Sequence, residues 1–174
     1  MNIVLVGLSG SGKTTVGNLL QKYLPEFSFV DTDEIIVKQE KRSINDIFAN
    51  DGEATFREIE KTVVEKVSKE NNLIISTGGG VVLNNTNTDN LKKNGIVFYL
   101  KTSPEIIAKR LKEDNTRPLL KADDVTGKLN KMLDVRGKLY EKADFTVNTD
   151  FLSPEQAAEF IVKEYKNAES KRKN

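Results

Sequence analysis

The sequence predicts an α/β fold in which a parallel β-sheet carries helices on both faces and binds its ligand at the carboxyl ends of the strands. Three observations lead there. A complete G-x-x-x-x-G-K-[ST] loop, Gly7-Leu-Ser-Gly-Ser-Gly-Lys-Thr14, stands between an apolar run and a helical stretch. Short runs rich in Val, Ile and Phe then alternate with stretches of helical period along the chain. Two of the later helices open alike, at Ser103-Pro104-Glu105 and Ser153-Pro154-Glu155, each with a capping serine, a proline at the first helical position and an acid in the first turn. Alternation of this kind implies a sheet whose ligands sit at one edge.

The elements follow in order. Ile3–Val6 reads as a strand, and Thr15-Val-Gly-Asn-Leu-Leu-Gln-Lys-Tyr-Leu24 as the helix that starts at the loop. Further strands are expected at Phe27–Val30, Leu73–Ile75, Ile96–Leu100 and Phe145–Val147, each bounded by Gly, Asp or Asn as buried parallel strands are. Phe56, Ile59, Val63 and Val67 recur at three- and four-residue spacing and mark a helix. Ile106, Ile107 and Leu111 mark another, and Phe160, Ile161 and Tyr165 a third. No repeat, low-complexity block or linker divides the 174 residues, so one domain is expected, with one core that removes about two-thirds of the unfolded chain's surface from water.

Composition narrows the chemistry. Twenty-seven basic residues face 26 acidic ones, which gives no case for a nucleic-acid or membrane partner. There is no cysteine and no apolar stretch near the length of a membrane span, and Met1 leads directly into the first strand without a charged-then-apolar leader; a cytoplasmic protein is expected. Histidine is absent too. That removes a Ser-His-Asp triad, a Cys-His pair and histidine metal sites, leaving proton transfer to a carboxylate, lysine or tyrosine.

In the loop, the glycines let successive backbone N–H groups turn toward phosphate oxygens. Lys13 supplies charge for the β- and γ-phosphates, and Thr14 a hydroxyl for Mg²⁺. The second strand ends in Asp31-Thr-Asp33, whose two-residue spacing on an extended chain would send both carboxylates to one side. One could reach the metal shell and the other orient and deprotonate a hydroxyl; equally, Asp33 reads as the N-cap of Glu34-Ile-Ile-Val-Lys. Glu53, Phe56, Arg57 and Glu60 share a helical face, where a Glu53–Arg57 pair would add only about 0.2–0.5 kcal/mol. Thr77-Gly-Gly-Gly80 follows the third strand and permits close approach of a ligand or another backbone. Arg110, Arg117 and Arg136 are each compatible with a solvated surface role. The aperiodic stretch 114–124 reads as a mobile loop or an ordinary connector.

Taken together in order, Gly7–Thr14, Asp31-Thr-Asp33, Ser43-Ile-Asn-Asp-Ile-Phe48, Gly52-Glu-Ala-Thr-Phe-Arg57 with Glu60, Thr77-Gly-Gly-Gly80, Arg117-Pro-Leu-Leu120 and Arg136-Gly-Lys-Leu-Tyr140 resemble shikimate kinase over nearly the whole chain. The resemblance implies a three-layer P-loop kinase fold of the nucleoside-monophosphate-kinase type, with a five-stranded parallel sheet and a lid at about 114–124. It implies transfer of the ATP γ-phosphate to the 3-hydroxyl of shikimate, giving shikimate 3-phosphate and ADP on the route to chorismate and the aromatic amino acids. Carried onto matching positions, Lys13, Asp33 and Arg117 would be catalytic. Gly10, Ser11, Gly12, Lys13, Thr14, Thr15, Arg110, Arg117, Ser153 and Pro154 would bind the nucleotide. Asp33, Arg57, Gly79 and Arg136 would hold shikimate, within a substrate region at about 31–60 whose apolar wall is Ile44, Phe48 and Phe56. Mg²⁺ would be bound directly by Thr14 and through water by Asp31, and the protein would act as a monomer. Paired arginines suit a carboxylate because each can engage it with two parallel hydrogen bonds.

The strands Leu73–Ile75 and Ile96–Leu100 lack the terminal aspartate of an ordinary Walker B motif, in whose place this family has the Thr-Gly-Gly turn. Asp123 and Asp124 put unexplained charge beside Lys121 in the lid. The competing readings are a gluconate or nucleotide kinase of the same fold and a non-catalytic ATP-binding relative. A nucleotide acceptor would not need two carboxylate-directed arginines, and a non-catalytic relative would be expected to have lost some of Lys13, Asp33, Arg57, Arg117 and Arg136. A GTPase would need an N/T-K-x-D motif after the later strands, and none occurs.

Overall fold

The structure is a computed structural model that describes residues 1–113 and 124–173. Arg117 and the expected lid, apart from Asp124, lie outside the described residues. Five strands form one parallel sheet in the order β2-β3-β1-β4-β5: β1 (Asn2–Val6), β2 (Ser28–Asp31), β3 (Leu73–Ser76), β4 (Gly95–Lys101) and β5 (Phe145–Asn148). The helices are α1 (Lys13–Tyr23), α2 (Thr32–Glu40), α3 (Ile44–Lys69), α4 (Asn85–Lys93), α5 (Pro104–Glu113), α6 (Val125–Tyr140) and α7 (Pro154–Lys173), with a 3₁₀ turn at Val81–Leu83.

The two faces of the sheet carry separate apolar clusters, and the two-residue period of the strands divides their side chains between them. Val4, Val6, Ile75, Val97 and Tyr99 pack with α2 to α6. Ile3, Leu5, Ile74, Ile96, Phe98 and Leu100 face the other way, against α1 and α7. Each fully buried aliphatic side chain contributes about 1.5–3 kcal/mol through removal from water. Central β1 is buried along its whole length, as a strand covered on both faces should be.

Local chemistry sets the helix boundaries. Pro104 and Pro154 open α5 and α7 as expected, and Ser153 Oγ accepts from the Gln156 amide at 3.2 Å. Ser43 caps α3 reciprocally with Asp46. That helix is interrupted at Gly52, where φ 82° and ψ 168° break the helical path, so the Phe56–Val67 stripe lies on a straight run distinct from Ile44–Asp51. The strand expected from Phe27 begins instead at Ser28, because Phe27 turns into the core and meets Tyr165 edge-on at 5.5 Å. α4 and α6 were not anticipated. In α4 only Asn87 and Leu91 are buried, too few to leave an apolar stripe in the sequence; in α6 Leu129 and Tyr140 are buried and Val125, Leu133 and Leu139 pack against the core only in part.

Because all five strands are parallel, the phosphate loop after β1, Asp31 at the end of β2, the glycine turn after β3 and Thr102 after β4 emerge at the same edge.

Candidate active site

The phosphate loop folds as its glycines require. Gly10 and Gly12 take φ 85° and 92°, conformations that a side chain disfavours, and Gly12 turns directly into α1. The first-turn N–H groups and the positive end of α1 thereby face an open cavity of about 430 Å³. Lys13 lies back across the loop and donates to the carbonyls of Gly7 and Leu8 at 2.9 Å each. Gly10, Gly12, Lys13, Thr14 and Thr15 line this cavity together with Asp31, Asp33, Gly79 and Arg110.

Asp31, not Asp33, caps α2: its Oδ1 accepts from the amides of Asp33 at 3.0 Å and Glu34 at 3.4 Å. The capping alternative for Asp33 is therefore corrected, and so is the extended-chain argument for its direction, since Thr32 already begins the helix. Asp33 sits in the first turn with its Oδ1 buried and without a hydrogen-bond partner. Burial pushes its carboxyl up to about 6; the Asp31 and Glu60 carboxylates act in the same direction, against Lys13 and Arg57. A buried carboxylate acceptor with a pKa near neutrality is suited to receive a hydroxyl proton.

The three glycines after β3 serve three neighbours. A Cβ on Gly78 would come within 2.6 Å of Asp33 Oδ1, one on Gly79 within 3.0 Å of the Ser9 amide nitrogen, and one on Gly80 within 2.4 Å of the Arg57 guanidinium. None has a positive φ, so the run is there for close approach. Arg57 is held by Glu53 at 3.0 Å and Glu60 at 2.9 Å, with its guanidinium 5.1 Å from the centre of the Phe56 ring. The Glu60 side chain is 1% exposed; burial raises its carboxyl while Arg57 and Arg136 pull it down. Arg136 Nη1 donates to the Gly79 carbonyl at 3.3 Å. Neither arginine lines the cavity itself, but both engage the glycine turn that does. The Phe48 and Phe56 rings meet at 4.7 Å with their planes tilted by 33°, Phe48 exposed and Phe56 buried in the core that half-buried Ile44 packs against.

A second cavity, of about 110 Å³, adjoins the loop and is lined by Ser11, Gly12, Thr15, Arg110, Ser153 and Pro154 among others. Arg110 stands between the two cavities, anchored by donating to the Thr149 carbonyl at 3.0 Å. Ser11 is placed with this group, though its Oγ is buried and unpartnered.

The family model for shikimate kinase matches residues 9–166 of this chain. A shikimate kinase from Caldicellulosiruptor saccharolyticus is 52% identical over 171 residues, covering 98% of this chain and 99% of its own. The chain belongs to the shikimate kinase family. A relative from Caldicellulosiruptor bescii, also a shikimate kinase, is 47% identical over 171 residues with the same coverage. The structure of shikimate kinase from Acinetobacter baumannii in complex with shikimate superposes with a TM-score of 0.85 at 36% identity, covering 94% of this chain and 91% of that one. Membership decides against the gluconate-kinase and nucleotide-kinase alternatives.

For a shikimate kinase the site also contains groups that the sequence left without a role. Ser76 Oγ donates to Asp31 Oδ2 at 2.8 Å, Thr32 Oγ1 accepts from the Gly78 amide at 3.1 Å, and Tyr140 donates its hydroxyl to the Gly79 carbonyl. Position next to the Asp31 and Thr77 motifs could have drawn attention to Thr32 and Ser76. Nothing local points to the Tyr140 contact. The donor set fits a hard divalent cation: Thr14 Oγ1 lies 3.4 Å from Asp31 Oδ2, and both are oxygen groups on the cavity wall. Among the described residues no cluster of three or more metal-ligating side chains exists.

Proposed function

We propose that the protein transfers the γ-phosphate of ATP to the 3-hydroxyl of shikimate, yielding shikimate 3-phosphate and ADP on the route to chorismate and the aromatic amino acids. The observation that carries this reading is the convergence on one cavity of the phosphate loop and the Asp33 carboxyl, whose Oδ1 is buried without a partner and whose pKa burial raises to about 6, with Arg57 and Arg136 at the adjoining glycine turn.

In this reading Asp33 accepts hydrogen bonds from the reacting hydroxyls and takes the 3-hydroxyl proton as the oxygen attacks the γ-phosphorus and the bond to ADP breaks. Arg57 and Arg136 bind the shikimate carboxylate, and Gly79 admits the ring close to the phosphate loop. Lys13 leaves the Gly7 and Leu8 carbonyls for the β- and γ-phosphate oxygens, where fixed positive charge stabilises the transferring group. Gly10, Ser11, Gly12, Thr14 and Thr15 complete the phosphate cradle. Arg110 with Ser153 and Pro154 frames adenine in the smaller cavity, whose apolar floor and flanking guanidinium suit a flat base. Thr14 would ligate Mg²⁺ directly and Asp31 through water; the ion would neutralise charge on the β- and γ-phosphate oxygens. Arg117, in a lid at about 114–124, would bring a further cation over the phosphoryl group.

The chain would work as one domain, with 31–60 as its substrate region, as a cytoplasmic monomer without nucleic-acid or membrane partners. No helix of the described residues is long and apolar enough to cross a membrane. A coupled ADP-release assay tests the activity: release should depend on shikimate and on Mg²⁺, and Lys13→Ala should nearly abolish it while the thermal transition is retained. Release with gluconate or a nucleoside monophosphate but none with shikimate would overturn the reading.

A further inference from the structure

Tyr140 closes α6 with its ring fully buried and stacked on Tyr99 of β4, centroids 5.0 Å apart and planes 17° from parallel. Its hydroxyl reaches out of this stack to donate to the Gly79 carbonyl. Arg136, one helical turn earlier, donates to the same oxygen at 3.3 Å. A carbonyl has two lone pairs and accommodates both donors. Burial holds the phenol up to about 12, so it remains a donor throughout the neutral range.

This double contact matters once Arg136 is assigned to a ligand. To engage a carboxylate fully, its guanidinium must give up the Gly79 oxygen. Were Arg136 the sole donor, that exchange would leave a part-buried acceptor unpaired, a penalty charged directly against substrate binding. We infer that Tyr140 is a positioning residue: it keeps the Gly79 carbonyl bonded and in place so that Arg136 can exchange that oxygen for the carboxylate of the acceptor. The inference rests on the reading of Arg136 as a carboxylate ligand.

Tyr140→Phe tests it, because phenylalanine keeps the buried ring and the stack on Tyr99 and removes one oxygen. The KM for shikimate should rise about tenfold, as expected when a buried acceptor loses its second donor, while the KM for ATP stays within about twofold. A purely structural defect would move both constants together and lower the thermal midpoint. In an Arg136→Ala background, adding Tyr140→Phe should raise the shikimate KM no further, since the effect runs through Arg136. An unchanged shikimate KM in Tyr140→Phe, or an equal rise in both constants, overturns the inference, as does a full additive effect in the double variant. If Arg136→Ala itself leaves the shikimate KM unchanged, the carboxylate reading of Arg136 is what fails, and this role of Tyr140 falls with it. A normal loss in Arg136→Ala beside an unaffected Tyr140→Phe overturns the Tyr140 role alone.

Discussion

Asp31 caps the helix that carries Asp33. One of its oxygens takes the Asp33 and Glu34 amides; the other takes the hydroxyls of Ser76 at 2.8 Å and Thr14 at 3.4 Å. A single carboxylate thus ties the ends of β2 and β3 to the first turn of α1 and orients the turn bearing the proposed base. The same side chain is the one proposed to reach Mg²⁺ through water.

The two roles separate by substitution. Asparagine caps a helix about as well as aspartate, so Asp31→Asn should keep its stability yet need a higher Mg²⁺ concentration for half-maximal rate. Asp31→Ala should show the same Mg²⁺ defect and lose roughly 1 kcal/mol of stability as well. Mg²⁺ titrations and denaturant melts of both variants decide it. A normal Mg²⁺ requirement in Asp31→Asn would leave capping as the residue's whole contribution.

Asp33→Asn should retain ATP binding and lose most turnover, because an amide keeps the shape of the carboxylate but cannot take the proton. The pH dependence has a definite sign. With the folded carboxyl raised to about 6, kcat/KM for shikimate should climb as pH rises toward 6 and then level. Stability runs the other way. A carboxyl whose pKa is raised by folding contributes its full stabilisation below the unfolded value of 3.8 and loses it as pH passes through 6. Asp33→Asn should therefore be more stable than the parent by roughly 1–3 kcal/mol at pH 7–8, with the gap closing near pH 4. A gap between variant and parent no wider at pH 8 than at pH 4 would show that burial does not strain Asp33.

Arg57→Ala should weaken shikimate binding by roughly 1.5–3 kcal/mol while ATP binding changes little. It should also leave Glu60, 1% exposed, without its ion-pair partner. Burial already raises the Glu60 carboxyl, and removing Arg57 raises it further, so the variant should lose more stability at pH 8 than at pH 5. Thermal melts across that range, set beside isothermal titration of both ligands, test the two halves separately. Equal loss of affinity for shikimate and ATP would make Arg57 a structural residue only.

The phosphate loop, the strands and the proline-started helices were legible because local rules produce them: glycines at fixed offsets, apolar runs of strand length and caps within three residues. Asp33 was legible as a residue but not in its setting, since the choice between Asp31 and Asp33 as the cap depends on where β2 stops. Glu60 was visible as one turn from Arg57, yet its burial and its approach to Gly78 come from packing α3 against β3. Tyr140 and Gly79 lie 61 residues apart, and no spacing rule connects them. In the sequence Arg57 already stood one turn from Glu53 and Glu60, whereas Arg136 stood as an isolated cation. The structure widens that difference: Arg57 is fixed by two glutamates and an aromatic ring, whereas Arg136 donates to the backbone oxygen of Gly79.

The glycine turn supplies the last prediction, because adjacent glycines are pressed against different neighbours, the phosphate loop and the Arg57 guanidinium. A methyl group on Gly79 would sit 3.0 Å from the Ser9 nitrogen and 3.6 Å from the Gly7 oxygen, all backbone of the phosphate loop, which would have to shift by a few tenths of an ångström. A methyl on Gly80 would sit 2.4 Å from one Arg57 nitrogen and 2.5 Å from another. There the yielding partner is the end of a flexible side chain, so the fold survives but the guanidinium is displaced from the position in which Glu53 and Glu60 hold it. Gly79→Ala should accordingly raise the KM for ATP and lower kcat, since phosphoryl transfer depends on sub-ångström placement of the loop donors. Gly80→Ala should raise the KM for shikimate by about tenfold and leave the KM for ATP close to that of the parent. Steady-state kinetics with each substrate varied in turn would show the split. If the two variants shift both constants alike, the turn acts as one rigid unit, and the assignment of its glycines to separate neighbours is wrong.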